Sequence, residues 1–245
     1  MKVFIAGGRG QVGARVSEVL KEQGVDVVTG SRADGVDAAT GDGLDAALAG
    51  VHTIVNTLNI ARFDAEATAF FESTTRNLVD AGVRAGVRHH VLLSIVGVGE
   101  DDGPDNGYWH GKIGQERVLR SAPVPATIIR TTQFHSWVPV LADQHTVDGR
   151  VLAERSLIQP VDLAEVVELI VSAVVAGGSA DREIDLAGPE RYFFDDLLRG
   201  TLAAAGDERE VVTMPCDGPD DVMVPRGRHR VGTATYPVRG IPTVS

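Results

Sequence analysis

Three glycines near the start of the chain are spaced three residues apart and follow a short apolar run. Val3–Ala6 leads into the segment 7–13, of sequence GGRGQVG, and apolar residues then recur at helical spacing. Such glycines permit a tight turn, close approach of the backbone to a pyrophosphate and close packing of helix on strand, while the helix N-terminus supplies hydrogen-bond donors. Glycine-rich turns also occur in ordinary loops, so the flanking strand and helix are what favour a dinucleotide site. We expect the dinucleotide to contact Gly7, Arg9, Gly10, Gln11, Val12 and Gly13.

The residues after the second predicted strand indicate which dinucleotide binds. Proteins that bind NAD usually have an acidic residue here for the ribose hydroxyls, whereas this chain has Ser31 and Arg32. A guanidinium suits a 2′-phosphate by charge and by its forked donors, and Ser31 adds a hydroxyl donor. Arg9 is either a third phosphate ligand or a solvated surface residue, and Asp34 is close enough to reach a ribose instead. The sequence predicts NADP(H) in preference to NAD(H).

Polar residues follow other predicted strands at the sheet edge where ligands bind. The segment 56–59, of sequence NTLN, ends one strand, and we expect Asn56, Thr57 and Leu58 to line the cofactor groove. Asp42 follows a weaker strand, where a carboxylate can accept from an adenine amino group, unless it is an ordinary surface residue. Thr131, after a later strand, completes the predicted cofactor contacts.

Short apolar runs alternate with helical stretches, which is typical of a parallel sheet covered by helices on both faces. The predicted strands are Val3–Ala6, Asp26–Thr29, Thr53–Asn56, Val91–Ser94 and Thr127–Arg130, with a weaker one near Val36–Ala39. The predicted helices are Val12–Gln23, Leu44–Ala49, Ala65–Ala85, Lys112–Ser121 and Leu163–Val175. The fold class predicted is α/β, a Rossmann-type doubly wound parallel sheet.

The pattern loosens after about residue 150. A strand over Ile184–Ala187, a helix over Phe194–Ala205 and a strand over Val211–Met214 are predicted, and Pro, Gly and Arg dominate from Pro215 onward. We expect one domain over residues 1–245, in which residues from about 150 to 245 form a small C-terminal lobe on the substrate side. The residue types in Asp101–Gly107 predict a mobile surface loop.

Composition excludes several classes of protein. The 245 residues, 43% of them hydrophobic, suffice for one sizeable core, and the net charge of −11 disfavours nucleic-acid binding, which needs a basic face. Cys216 is the only cysteine, as expected in a reducing compartment, and no apolar run approaches a membrane span. The histidines show no metal-binding pattern. We expect a cytoplasmic protein with a small-molecule partner and no metal, nucleic acid or membrane.

Several segments together resemble the short-chain dehydrogenase/reductase superfamily, in particular its atypical NmrA-like, NAD(P)H-binding branch. The likeness covers most of the chain. It rests on the three glycines, on the segment 74–81 (TTRNLVDA) leading through 85–87 (AGV) to Val91–Ser94, and on Ile129–Phe134. Pro160-Val161-Asp162 is similar to the residues that precede a late helix in that branch. The resemblance implies a nicotinamide cofactor and is compatible with a homo-oligomer.

The resemblance directs attention to Ser94 and to the Y-x-x-x-K string of Tyr108 and Lys112. If Tyr108 opens a helix, Lys112 lies one turn later on the same face, beside the phenol and the nicotinamide ribose. A cation there lowers the phenol pKa from its usual ~10. Tyr108 would then protonate a substrate carbonyl oxygen as hydride arrives, while Ser94 holds that oxygen. The alternative is that a tyrosine and a lysine four residues apart are ordinary surface and packing residues.

These residues predict an NADPH-dependent oxidoreductase that reduces a carbonyl, quinone or conjugated carbonyl small molecule. Gln133, Phe134 and His135 follow a strand at its carboxyl end, and we expect them to contact substrate or nicotinamide. The alternative is a non-catalytic NADP(H)-sensing regulator that binds a protein partner, since members of the NmrA-like branch often lack a working triad. A nucleotide-sugar epimerase or dehydratase is disfavoured because little chain remains for a sugar-nucleotide domain.

Overall fold

The protein is described by a computed structural model over residues 1–100, 103–178 and 182–244. The elements of regular structure are, in chain order, β1 Lys2–Ala6, α1 Gln11–Glu22, β2 Asp26–Gly30, α2 Leu44–Ala47, β3 Thr53–Asn56, α3 Ala65–Ala85, β4 His89–Ile95, α4 Gly107–Arg120, β5 Ala126–Thr131, α5 Val138–Gln144, β6 Thr146–Val147, β7 Arg150–Glu154, β8 Leu157–Ile158, α6 Leu163–Ala176, β9 Glu183–Ala187, β10 Arg191–Phe193, α7 Phe194–Ala205, β11 Val211–Met214, β12 Arg230–Val231 and β13 Thr243–Val244. Among the described helices, none combines the length and apolar character needed to cross a membrane.

A seven-stranded sheet has the strand order β12-β9-β5-β4-β3-β1-β2. β1 pairs in parallel with both β2 and β3, so that Phe4 lies opposite Val28 on one side and Ile54 on the other. The chain thus builds outward from β1 in both directions, and the strand order reverses between β1 and β3. In open α/β sheets this reversal opens a crevice at the carboxyl ends of the strands, where ligands bind. The predicted Rossmann-type fold is confirmed.

The chain forms two compact units, one made of residues 1–99, 103–130 and 167–184, the other mostly of residues 131–166 and 185–244. In the first unit the apolar runs of β1 and β3 are fully buried. Phe4 and Ile54 pack with Leu44 and Leu78 from the helices and with Leu48, which follows α2. Burial of this kind on both faces explains the near-continuous Val and Ile of these strands. The single-domain organisation stays a prediction.

Helix α3 begins and ends where the sequence predicts. The Asp64 carboxylate accepts from the Glu66 N–H at its start, and Gly86, at φ +75°, ends it in the left-handed conformation. Helix α4 begins at Gly107 rather than at Lys112. The reason is that the Asn106 side chain caps it by accepting from the Trp109 N–H at 2.9 Å. Tyr108 is therefore the second residue of a helix, as the catalytic interpretation requires.

The strand predicted near Val36–Ala39 does not form, and that prediction is wrong. The Asp37 carboxylate accepts from the Ala39 N–H at 2.8 Å. The Asp37 N–H donates to the Asp42 carbonyl, and the Gly41 N–H donates to the Asp37 carbonyl. These local bonds use the backbone groups that a strand would need for pairing. Of the predicted loop 101–107, Asp101 and Asp102 lie outside the described residues, and Gly107 already belongs to α4.

The second unit contains two small three-stranded sheets, ordered β13-β10-β8 and β11-β7-β6. Its core includes Ile158, Tyr192, Phe194, Leu198 and Tyr236. The segment from Pro215 onward is mostly irregular, as predicted, yet it contributes β12 to the large sheet and β13 to a small one. These pairings are with residues distant in sequence, and the local pattern gives no sign of them.

The two histidines at the start of β4 are buried, and this predicts acid sensitivity. Burial, with a smaller contribution from His89, lowers the pKa of His90 from 6.5 to about 4. The unfolded chain therefore binds this proton before the native state does. We expect the free energy of unfolding to be unaffected by His90 above pH 6.5, to fall as the pH drops from 6.5 towards 4, and to lose about 3 kcal/mol in all.

Urea unfolding followed across this pH range measures the effect. His90→Gln should flatten the decline, whereas His52→Gln, at an exposed histidine, should leave it unchanged. An equal decline in wild type and His90→Gln would contradict the assignment to His90.

Candidate active site

The glycine-rich turn lies at the carboxyl end of β1, at the reversal of strand order. Gly7 has φ +82°, and the Gly10 N–H donates to its carbonyl at 2.9 Å, just before α1 begins. A Cβ on Gly13 would lie 2.4 Å from the Gly7 carbonyl oxygen, and one on Gly7 would lie 2.9 Å from Thr57 Oγ1. Contacts that short do not occur, so only glycine permits this packing of turn, helix and β3 end. The turn has the form that a dinucleotide cradle needs.

Two further glycines shape the same edge of the sheet and were not given a role by sequence alone. A Cβ on Gly8 would lie 2.5 Å from the Thr29 methyl carbon, and one on Gly30 would lie 2.3 Å from Phe4 Cζ. Thr57, at the end of β3, donates through both its N–H and its Oγ1 to the Ala6 carbonyl. The ends of β1, β2 and β3 are thus packed closely around the turn.

Three polar side chains cluster at the end of β2. Arg9 Nη2 lies 2.6 Å from Asp34 Oδ1, and Ser31 Oγ donates to Asp34 Oδ2 at 2.5 Å. The hydrogen bond from Ser31, with help from Arg9, holds the pKa of Asp34 below its ordinary value. Arg32 is exposed, and its side chain has no hydrogen-bond or ion-pair partner among the described residues. Two of the three predicted 2′-phosphate ligands therefore hold a carboxylate in this structure.

The remaining predicted cofactor residues differ in their surroundings. Asn56 is buried: its Oδ1 accepts from the Leu58 N–H at 3.1 Å, and its Nδ2 donates to Thr75 at 3.3 Å. It shapes the backbone after β3. The Asp42 N–H donates to Thr40 Oγ1 within the turn that replaces the predicted strand. Thr131 is buried at the end of β5. Their contact with a cofactor stays a prediction.

Tyr108 lies between two aromatic rings at the start of α4. Its Oη donates to Asn59 Oδ1 at 3.0 Å. The Phe71 ring meets it edge-on at 5.4 Å, and the exposed Phe63 ring lies 5.9 Å away. Burial raises the pKa of Tyr108 to about 12, although the Asn59 hydrogen bond offsets part of this. The expectation that the phenol pKa falls below its usual value is therefore wrong in this structure.

Lys112 is buried in the protein interior, and its hydrogen bonds go to groups other than the phenol oxygen. The residue is 3% exposed. Its Nζ donates to the Leu93 carbonyl at 3.3 Å and to Gln115 Oε1 at 3.1 Å, and lies 4.5 Å from the Phe71 ring centroid. Burial lowers the pKa of Lys112 to about 7, although the Glu116 charge opposes this. The Nζ also lies 6.0 Å from the Tyr108 ring centroid, so the ammonium is beside the phenol ring as predicted, but no hydrogen bond joins it to the phenol oxygen.

Ser94 lies near the end of β4 and is 1% exposed. Its Oγ is buried and has no hydrogen-bond partner among the described residues. Such unpaired hydroxyls are rare, because burial without a partner costs about 1–3 kcal/mol. Ser94, Tyr108 and Lys112 thus lie on adjoining elements without hydrogen bonds to one another. Their catalytic roles stay predictions.

The three predicted substrate residues lie in the second unit. Phe134 forms a parallel bridge with Val161, whose N–H donates to the Gln133 carbonyl. Gln133 Oε1 is buried and unpaired within the described part of the chain. His135 Nε2 lies 3.2 Å from the Pro160 carbonyl, its Nδ1 lies 3.7 Å from Asp162, and its ring meets an aromatic neighbour edge-on. His135 thus joins two segments of this unit.

A model of the NmrA-like family matches residues 5–153, which include the glycine turn, Tyr108 and Lys112. The chain belongs to the NmrA-like family. The family expected from the sequence is confirmed. A curated relative of this NmrA-like protein is the (4-alkanoyl-5-oxo-2,5-dihydrofuran-3-yl)methyl phosphate reductase of Streptomyces griseus subsp. griseus, 29% identical over 175 residues. The match covers 70% of this chain and 56% of that relative.

Solved structures show that this NmrA-like protein shares its fold with sugar-nucleotide enzymes. A dTDP-4-dehydrorhamnose reductase from Clostridium acetobutylicum superposes with TM-score 0.72 at 16% identity, covering 89% of this chain and 85% of that one. The dTDP-4-dehydrorhamnose reductase of Bacillus anthracis, in complex with NADP, superposes with TM-score 0.69 at 15% identity, covering 88% of this chain and 84% of that one. UDP-glucose 4-epimerase from Thermus thermophilus, in complex with NAD, superposes with TM-score 0.67 at 17% identity, covering 96% of this chain and 91% of that one.

Asn59 is the functional candidate of this NmrA-like protein that sequence reasoning missed. It lies in the segment 56–59, predicted to line the groove, but no role was assigned to it individually. The signal present was its place three residues after the last residue of β3, at the ligand-binding edge of the sheet. Its pairing with Tyr108 across 49 residues of sequence requires the fold to be seen.

Proposed function

We propose that this protein is an NADPH-dependent reductase of conjugated carbonyl compounds, with Tyr108 as the proton donor. The glycine turn is the observation that carries the proposal. Its backbone packs so tightly that a Cβ at residue 13 cannot fit, and it lies at the crevice where this type of sheet binds dinucleotides. The relatives in complex with NADP and with NAD support a nicotinamide cofactor.

The turn and the phenol are linked by a short stretch of chain. Thr57 contacts the turn glycines, and two residues later Asn59 contacts the Tyr108 phenol. Two residues span at most about 7 Å, which brings a proton donor close to a cofactor held by the turn. A bound nicotinamide would supply hydride. Tyr108 would supply the proton, and at a pKa of about 12 its phenol is protonated throughout the physiological range.

A conjugated carbonyl is favoured as the substrate class within the carbonyl, quinone and conjugated carbonyl compounds predicted. The curated relative is named for a dihydrofuran ring that bears an oxo and an alkanoyl group. The ring double bond is conjugated with these carbonyl groups, which activate it towards hydride addition. Hydride addition to the carbon β to the carbonyl leaves an enolate, and one proton then completes the reduction. A protonated phenol such as Tyr108 is suited to give that proton.

The binding half of the proposal is tested by fluorescence titration of the purified protein with NADPH and with NADH. Saturable quenching by NADPH, tighter than by NADH, is the expected result. Absence of binding by either nucleotide would overturn the proposal at its first step.

The preference for NADPH predicts opposite effects of two neighbouring substitutions. Arg32→Glu should weaken NADPH binding about tenfold to a hundredfold with little effect on NADH, because a charge-assisted contact becomes a repulsion. Asp34→Asn should increase the affinity for NADPH about tenfold. The neutral amide competes less than the carboxylate for the Arg9 and Ser31 donors and does not repel the 2′-phosphate. Titrations with both nucleotides measure this, and equal changes for NADPH and NADH would exclude a 2′-phosphate site here.

A second candidate function, the NADP(H)-sensing regulator, is favoured by one observation. Lys112 is buried against Leu93 and Gln115, and Ser94 Oγ has no hydrogen-bond partner among the described residues, so the catalytic set is not joined by hydrogen bonds. A sensor needs cofactor binding without turnover. NADPH binding combined with a complete lack of turnover across carbonyl, quinone and butenolide substrates would favour this function.

A further inference from the structure

The phenol of the proposed proton donor has a single hydrogen-bond partner among the described residues, the Asn59 side chain. The distance from Tyr108 Oη to Asn59 Oδ1 is 3.0 Å. The group expected at this oxygen, the Lys112 ammonium, is satisfied elsewhere by the Leu93 carbonyl and Gln115. An uncharged amide, and not the Lys112 ammonium, therefore forms the hydrogen bond to the phenol oxygen.

The backbone around Asn59 fixes this amide relative to the phenol. On one side the segment begins at β3, where Thr57 packs against the turn glycines. On the other side the Phe63 carbonyl accepts from the Gly107 N–H at 2.8 Å, and a Cβ on Gly107 would lie 1.7 Å from the Asp64 carbonyl oxygen. The segment 57–64 is thus fastened to the start of the helix that carries Tyr108.

We propose that Asn59 is the positioning residue for proton donation by Tyr108. The inference rests on the proposed function. An amide has one acceptor and one donor group at nearly the same reach. With Oδ1 towards the phenol, Asn59 accepts the O–H hydrogen and holds it away from the substrate. With the amide turned by half a rotation, Nδ2 donates to Oη, and the O–H hydrogen is free to point at the substrate.

The same amide also stabilises the product of the proton transfer. The proton leaves Tyr108 Oη for the enolate formed by hydride addition, so the O–H bond breaks, the substrate gains C–H or O–H, and a phenolate remains. The phenolate lies on a half-buried side chain between the Phe63 and Phe71 rings. A donor N–H at the oxygen lowers its free energy, as hydrogen bonds to a charged form do. A second proton, taken up from solvent, then restores the phenol and is the one proton consumed with each NADPH.

The test replaces Asn59 by aspartate, which has the same shape but carries a titratable charge. While the new carboxyl is ionised it has no donor and repels the phenolate. Once protonated it donates again. We therefore expect Asn59→Asp to reduce NADPH oxidation with an acyl-substituted butenolide about tenfold to a hundredfold at neutral pH. Activity should recover as the pH falls through the titration of the new carboxyl, and wild type should show no such recovery.

A second readout does not depend on turnover. Tyrosine labelled with ¹³C at Cζ gives three signals, since the chain has three tyrosines, and Tyr108→Phe identifies that of Tyr108. In Asn59→Asp the Tyr108 signal should move as the new carboxyl titrates, while in wild type the Tyr108 signal should stay fixed over the same pH range. Asn106→Ala is the matched control: it removes the α4 cap beside Tyr108 and should lower stability without creating a new pH dependence.

The outcomes separate this inference from the proposed function. If Tyr108→Phe keeps full turnover, the proposed function fails at its proton donor. If Tyr108→Phe is inactive while Asn59→Asp has the wild-type pH profile, or is uniformly slow with an unmoved Tyr108 signal, Asn59 has no part in positioning and only the inference is overturned.

Discussion

Tyr108→Phe is expected to lower turnover of a butenolide by about 10²- to 10⁴-fold, the usual contribution of a positioned general acid. The change removes one oxygen and keeps the ring, so the edge-on contact with Phe71 and the neighbouring Phe63 remain. The glycine turn is untouched. NADPH affinity should therefore stay within about twofold of wild type, since no phenol contact to the dinucleotide phosphates is involved.

The measurement compares NADPH oxidation and NADPH binding in the same preparation. Tyr192→Phe serves as the matched control because that hydroxyl bonds Glu190 in the second unit, and it should retain activity. Undiminished turnover in Tyr108→Phe would remove the phenol from the mechanism, whereas parallel loss of binding and turnover would assign it to cofactor binding.

Gly13→Ala has the second large expected effect, on binding of the cofactor. The added methyl group would lie 2.4 Å from the Gly7 carbonyl oxygen and 2.7 Å from Thr57 Oγ1, and a backbone carbonyl cannot turn aside as a flexible side chain can. Either α1 moves away from the turn or Gly7 shifts. Overpacking of this kind costs about 1–3 kcal/mol, and the distorted turn should weaken NADPH binding at least tenfold.

Fluorescence titration and thermal unfolding of Gly13→Ala measure these two effects. Gly227→Ala provides the control, because a Cβ there meets open space and its φ is not left-handed. It should change neither quantity. A Gly13→Ala protein that binds NADPH as tightly as wild type would show that the turn is not the cofactor cradle.

The parts of the fold that were predictable are those whose cause is local. The glycines at 7, 10 and 13 predict the turn. The apolar spacing predicts α3, and Gly86 predicts where that helix ends. The strand predicted over Val36–Ala39 was wrong because its apolar residues favour a strand, whereas the Asp37 carboxylate and the glycine at 41 stabilise a turn. The strands contributed by the tail were missed because their pairing partners lie far away in sequence.

The catalytic set was predictable in its residues but not in its contacts. Helical spacing places Tyr108 and Lys112 on one face of α4, but it does not give the distance between α4 and α3. That distance is set by Gly111 and Gly114, whose Cβ atoms would lie 2.5 Å from Phe71 and 2.4 Å from Glu72. The close approach places the Lys112 ammonium over the Phe71 ring, and Asn59 is left at the phenol.

The most direct test of the central claim follows NADPH oxidation by the purified protein with an acyl-substituted butenolide, together with analysis of the product. We predict stoichiometric conversion of NADPH to NADP⁺ with loss of the ring double bond, and the rate of both should fall about 10²- to 10⁴-fold in Tyr108→Phe. Tight NADPH binding with an unchanged butenolide and no oxidation of the nucleotide by carbonyl or quinone substrates would contradict the reductase and leave the NADP(H)-sensing regulator.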